Sequence, residues 1–261
     1  MSKFVDKLAK LSQTSGPSIG FRRSPTTQSA GMLLAAEIPG NKVSLSKGAV
    51  AAGVDALVVR IDSLTGETGV LKDAAKLAGE TVWGVHINKM GPDDAATLRD
   101  LGCDFLLVDA LAVPAAILSE KDLGKVLRVD AQWADSMIRT LDQVALDAVL
   151  LDADEVGIPG LNLHQLLLCQ RVASLARKPL LVSVAQGLDG AGLQALHSIG
   201  VESVLYRYGT EASAGQLEKL KKAIDALPAF RGRGKGIAML PRVEAASPVE
   251  NEEEEEEEED D

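Results

Sequence analysis

Seven ionisable side chains, Glu37, Arg60, His86, Asp109, Arg128, Asp130 and Arg207, each stand at or near the end of a short apolar run. Together these residue types can hold an anion and move a proton. A guanidinium is a planar fork that grips two oxygens of a carboxylate or phosphate at once, so Arg60, Arg128 and Arg207 are candidates to bind a small anionic molecule, phosphorylated or not. Glu37, His86, Asp109 and Asp130 are the candidate acids and bases, since imidazole titrates near neutrality and burial brings a carboxyl group towards it. Such chemistry is of the lyase or isomerase type. The rival account of the same residues is a set of mutually compensating ion pairs, such as Glu37 with Arg60 or Asp130 with Arg128, that does no chemistry. Glu37, Asp109, Asp130 and Asp152 also carry the oxygens that Mg²⁺ or Mn²⁺ takes, but salt bridges to the arginines compete for them, so no metal ligand is assigned and the cofactor is left open. Lys89 follows an apolar run, yet no run ends in the inward lysine that imine chemistry requires. His164 and His197 fall in helix-like stretches and read as surface or packing residues.

These side chains need a frame that brings distant parts of the chain to one place. From residue 31 to residue 228 one unit recurs: a short apolar strand ending in a polar residue, a loop, then an amphipathic stretch. That alternation predicts parallel strands with helical crossovers. The strands read as Met32 to Glu37, Ala56 to Asp62, Val82 to Asn88, Phe105 to Ala110, Lys125 to Gln132, Ala148 to Asp152, Leu180 to Gln186 and Ser203 to Tyr208. Helical segments are expected throughout between them. Eight such units favour closure into a (β/α)8 TIM barrel over an open doubly wound sheet built from the same parts. Residues 1–30, with a helix from Lys3 to Leu11 and a strand candidate from Ser18 to Arg22, are assigned to an N-terminal cap segment.

In a closed barrel alternate side chains face the lumen, so parity picks one face per strand. Leu33, Ala35 and Glu37 share one face, as do Val58 with Arg60, Val82, Gly84 and His86, Phe105, Leu107 and Asp109, Val126, Arg128 and Asp130, and Leu205 with Arg207. Each runs from apolar to ionisable. Leu150 with Asp152 and Leu181 with Ser183 follow the same rule less decisively, because the opposite face of either strand would also suit a lumen. The reading predicts that Glu37, Arg60, His86, Asp109, Asp130 and Arg207 face one cavity at the carboxyl end, where enzymes of this fold keep their active sites.

The net charge of −11 is mostly a tail property: twelve acidic residues and no Lys or Arg lie from Glu244 onward, leaving the first 243 residues at about +1. A barrel that is nearly neutral offers no basic surface for nucleic acid or anionic membrane. Residues 229–261 are Gly- and Pro-rich, then acidic, too poor in apolar side chains to offset the entropy of ordering, and are expected to be a disordered tail open to a protein partner. A non-catalytic scaffold acting through that tail is the alternative function. Cys103 and Cys169 have no CxxC spacing, and no stretch of about 18 apolar residues occurs, so a reducing, cytoplasmic setting without membrane insertion is expected.

One segment, PLLVSVAQGLDGAGLQALHSIGVESVLYRYGT from Pro179 to Thr210, resembles the seventh strand, helix and eighth strand of the phosphate-binding (β/α)8 barrels, the group containing indoleglycerol-phosphate synthase and several FMN-dependent enzymes. The resemblance implies that backbone N–H groups at Gly187 and Gly209 meet a phosphate. Where that group has a small turn at the end of strand 8, this chain places Arg207 and Tyr208 first, which either exchanges amide binding for arginine binding or leaves no phosphate site. No FMN-type constellation accompanies the segment.

Overall fold

The computed structural model describes residues 2–13, 31–152, 161–184, 188–210 and 213–228. The segment read as a strand at Ser18 to Arg22, Gly187 and the 229–261 tail lie outside these residues.

Eight parallel strands pair in sequence order and close, β8 returning to β1. They are β1 (Leu33–Pro39), β2 (Ala56–Ser63), β3 (Val82–Lys89), β4 (Phe105–Asp109), β5 (Gly124–Val129), β6 (Ala148–Asp152), β7 (Leu180–Val184) and β8 (Ser203–Arg207). The helices are α1 (Lys3–Gln13), α2 (Ser46–Ala51), α3 (Thr68–Ala78), α4 (Asp94–Asp100), α5 (Asp135–Thr140), α6 (Leu163–Ala176), α7 (Gly190–Ser198) and α8 (Ala214–Asp225). The crossover from β4 to β5 departs from the expected pattern, being a single 3-10 turn at Ala115–Ser119 started by Pro114. β5 also ends earlier than its apolar pattern suggests, because the Asp130 carboxylate accepts the Gln132 N–H at 2.7 Å and turns the chain out of the sheet.

Two separate cores follow from strand parity. One face of every strand packs beneath the helices, through residues such as Leu34, Val59, Val85, Leu106, Val149, Val182 and Tyr206. The other face fills the lumen in layers, each contributed by alternate strands. Followed round the barrel, the registers stack Ala56, Phe105, Ala148 and Ser203, then Ala35, Gly84, Val126 and Leu181, then Val58, Leu107, Leu150 and Leu205. These are almost wholly apolar. Gly84 is required here, since a Cβ at that position would lie 2.6 Å from the Phe105 carbonyl oxygen and 2.7 Å from its ring.

Helix α1 plugs the amino end of the lumen. Phe4, Leu8 and Leu11 join the lumen core, and Phe4 stacks on Phe105 with ring centroids 4.4 Å apart. The Asp104 carboxylate takes Ser2 Oγ at 2.6 Å, Lys3 N–H at 2.8 Å and Phe4 N–H at 2.9 Å, so a negative charge sits on the first turn of α1, where the helix dipole favours it. Cys103 and Cys169 are free and buried, and burial pushes both thiols up to about 12. No helix among the described residues is long and apolar enough to cross a membrane.

Candidate active site

Above the apolar layers the same registers place two polar ones. Glu37, His86, Arg128 and Ser183 come from the odd strands, and Arg60, Asp109, Asp152 and Arg207 from the even strands above them. The lower polar layer is largely buried: Glu37 is 5% exposed, His86 8% and Ser183 1%. The upper layer opens to solvent, and Arg60 is exposed. The strands whose parity the sequence left open, β6 and β7, thus turn Asp152 and Ser183 inward.

A buried carboxylate needs compensation, and Glu37 has it. Its Oε1 lies 2.5 Å from His86 Nδ1, and its Oε2 lies 3.8 Å from Arg207 Nε. Burial pushes the Glu37 pKa up, but the His86 hydrogen bond and charge, with Arg60 and Arg207 nearby, outweigh it and hold the carboxyl below its ordinary 4.5. Glu37 is therefore a carboxylate at neutral pH, and it accepts from a protonated Nδ1. In a neutral ring that leaves the lone pair on Nε2. His86 Nε2 is buried and has no hydrogen-bond partner among the described residues. The Ser183 hydroxyl, across the same layer, is in the same condition.

The arginines differ sharply. Arg128 bridges Asp109 at 3.5 Å and Asp152 at 3.4 Å, while Arg207 pairs with Asp152 and reaches Glu37. Arg60 forms no ion pair within 4 Å among the described residues, so its fork remains open to a ligand. No three His, Cys, Asp or Glu side chains converge as a metal site among the described residues.

Beside the polar layers, on the β3 to β5 side, lies a cavity of about 480 Å³ lined by Lys89, Asp109, Leu111, Arg128, Asp130 and Trp133 among others. Of the residues expected to face one cavity, Asp109 and Asp130 line it, as does Arg128. Glu37, His86 and Arg207 sit in the lumen layers, joined to it through the Asp109–Arg128–Asp152–Arg207–Glu37 chain of contacts, and Arg60 sits in the upper layer outside that chain. Gly209 follows β8, and its carbonyl accepts the Lys42 ammonium at 2.9 Å. His164 is an exposed residue of α6; His197 is a half-buried residue of α7 whose pKa burial pushes down.

Sequence reasoning passed over Trp133 and Arg171, and weighed Lys89 only as an imine-forming lysine. Lys89 is the last residue of β3 and exposed. Arg171, on α6, ties down the β5–α5 loop by donating to the Ala131 carbonyl at 2.8 Å, the Trp133 carbonyl at 2.5 Å and the Asp135 carboxylate at 2.8 Å. A usable signal for Trp133 was its place just past a strand end in a chain with two tryptophans.

With that geometry in place, comparison with solved structures finds the same fold. A mutant tryptophan synthase alpha-subunit from Pyrococcus furiosus superposes with a TM-score of 0.56 at 15% identity, over 76% of this chain and 99% of that one. The YdjI aldolase from Escherichia coli gives 0.55 at 10% identity, over 90% and 98%. KGPDC from Streptococcus mutans gives 0.56 at 10% identity, over 74% and 97%. What this likeness shows is the closed eight-stranded barrel. No family model and no curated protein matches the chain.

Proposed function

We propose that the carboxyl-end mouth is an active site that moves a proton on a small anionic, phosphorylated substrate, in chemistry of the lyase or isomerase type. One observation carries this reading: a buried imidazole oriented by a carboxylate at 2.5 Å, with its other nitrogen unpartnered among the described residues. In this reading His86 Nε2 takes a proton from a carbon or oxygen acid, and Glu37 fixes the ring and stabilises the imidazolium that forms. Asp109 or Asp130, nearer solvent, returns a proton. Arg60 holds the substrate anion, with Arg128 and Arg207 adding positive charge beside it and Gly187 and Gly209 offering amides. An aldolase and KGPDC stand among the structures of like fold, in keeping with this class of chemistry.

The scaffold reading has one observation in its favour, that Arg128 and Arg207 are each already held between carboxylates. A single experiment separates the two. The full chain is incubated with a metabolite extract in D₂O and followed by mass spectrometry. An enzyme of this type consumes or deuterates an anionic metabolite at least about a hundredfold faster than folded His86→Gln, the factor a lost general base costs. Equal rates for the wild type and His86→Gln would remove the enzyme reading and leave the scaffold.

A further inference from the structure

The cavity on the β3 to β5 side is not what a purely polar ligand calls for. Its wall combines the half-buried Trp133 indole with Leu111, whose relative exposure is 103%, and Ala110 and Ala112 between strand and loop. A lone exposed leucine means nothing; a leucine and an indole on the wall of one cavity beside a polar cluster form an apolar subsite. The wall is also built to hold still. Arg171 fastens the Trp133 loop through three contacts, Trp133 N–H returns to the Asp130 carbonyl at 3.1 Å, and Met90 N–H bonds the Ala112 carbonyl at 3.1 Å, tying the β3 and β4 loops together. Preorganised aromatic surface of this kind binds without ordering cost. Lys89, at the end of β3, lines it, and Arg60 on neighbouring β2 lies at the same mouth outside its wall; both are exposed, and neither makes an ion pair within 4 Å among the described residues.

We infer that the substrate of this mouth is an amphipathic anion, whose planar or branched apolar group lies on Trp133 and Leu111 while its anionic group meets Lys89 and Arg60. This rests on the active-site reading above and narrows it, because a bare sugar phosphate would leave the indole and the leucine without a partner. The cavity of about 480 Å³ accommodates a ring of benzene size with its substituents. Asp130 and Asn88, on the same wall, supply acceptors and donors for a hydroxyl or amine on the ligand.

The test is calorimetric titration of the full chain with phenyl phosphate and, separately, with ribose 5-phosphate. Phenyl phosphate is expected to bind about tenfold more tightly, the effect of taking one apolar ring face out of water. Leu111→Ser and Trp133→Ser are both expected to bring phenyl phosphate to the sugar phosphate's affinity while leaving the latter unchanged. Leu111 is fully exposed, so its substitution leaves folding intact and keeps the test valid should Trp133→Ser unfold the loop. Equal affinity for both compounds, or a preference that survives Leu111→Ser, would overturn the amphipathic-ligand inference and leave the anion site standing. Failure of both compounds to bind at millimolar concentration would overturn the inference together with the phosphorylated-substrate reading beneath it.

Discussion

The two ends of this barrel treat charge in opposite ways. At the amino end one carboxylate, Asp104, accepts three donors at 2.6 to 2.9 Å, and the apolar face of α1 fills the lumen behind it. At the carboxyl end more charges meet, some tightly, as in Glu37 with His86 at 2.5 Å and Arg207 with Asp152, and some at 3.4 to 3.8 Å, while an imidazole nitrogen and a serine hydroxyl have no partner among the described residues. The bonds at Asp104 are closed, although the Ser203 hydroxyl in the first lumen layer also has no partner among the described residues. In the proposed reading, the open His86 and Ser183 valences beside partly exposed arginines mark the end where a ligand completes the structure.

The comparison is broken most forcefully by Phe4→Ala. Phe4 is wholly buried against Phe105, so its loss is expected to cost about 3 to 5 kcal/mol in denaturant unfolding. Anion binding at the far mouth is expected to persist. A loss below about 1 kcal/mol, the scale of a surface substitution, would show that the plug does not support the barrel.

Asp152→Ala comes next. It removes the carboxylate shared by Arg128 and Arg207, whose side chains stay 34% and 35% exposed while that of Asp152 is 8% exposed. Orphaning a fully buried pair costs about 3 to 5 kcal/mol, but water reaching both guanidinium groups lowers the expected loss to about 2 kcal/mol. A neutral or stabilising result would mean the arginines are strained by their pairing and poised for a different anion.

These effects bear on what the sequence made legible. Closure, strand order and the lumen face could be read because period-2 alternation is the direct signature of a pleated strand, and one slip would drive Glu37, Arg60 and His86 against the helices. The 3-10 turn that replaces a helix between β4 and β5 could not, since Pro114, in extended backbone, starts it against the local apolar pattern. The Glu37–His86 contact was not visible either: β1 and β3 are not neighbours, and only the layering of alternate strands brings residues 49 apart in sequence together. Nor could residue types say which arginine stays open. Arg60, Arg128 and Arg207 look alike in sequence and differ only in the carboxylates that the registers set beside them. Trp133 escaped because it lies on a loop, where no periodicity points to a face.

Acidification sharpens the contrast from another side. Against the upward push of burial, His86, Arg60 and Arg207 keep the folded-state pKa of Glu37 below 4.5, so its contribution to stability is complete above that value and is lost as pH falls through the folded-state value. The wild type is expected to lose melting temperature below about pH 4.5, and Glu37→Gln to show a shallower decline over the same window. Matching slopes would mean that Glu37 is not held ionised by its neighbours, and the orientation of His86 would lose its physical basis.

The smallest effect concerns Arg60 and probes the open end most directly. A ligand that binds only the native state raises stability by RT ln(1 + [L]/Kd), so about 10 mM phosphate acting at a millimolar site gives roughly 1 kcal/mol, or a few degrees in a barrel of this size. Arg60 is exposed and without an ion pair among the described residues, whereas Arg128 must first leave Asp109 and Asp152 to serve an anion. Thermal scans in phosphate and in chloride of matched ionic strength are therefore expected to show a phosphate-specific rise that Arg60→Ala removes and Lys42→Ala leaves in place. Lys42 is a suitable control because it lies at the same mouth, bonded to the Gly209 carbonyl, and differs from Arg60 in having that bond. If Arg60→Ala keeps the full rise while Lys42→Ala abolishes it, the anion sits at the β8 end near Gly209, and the asymmetry among the cations of the mouth must be drawn the other way.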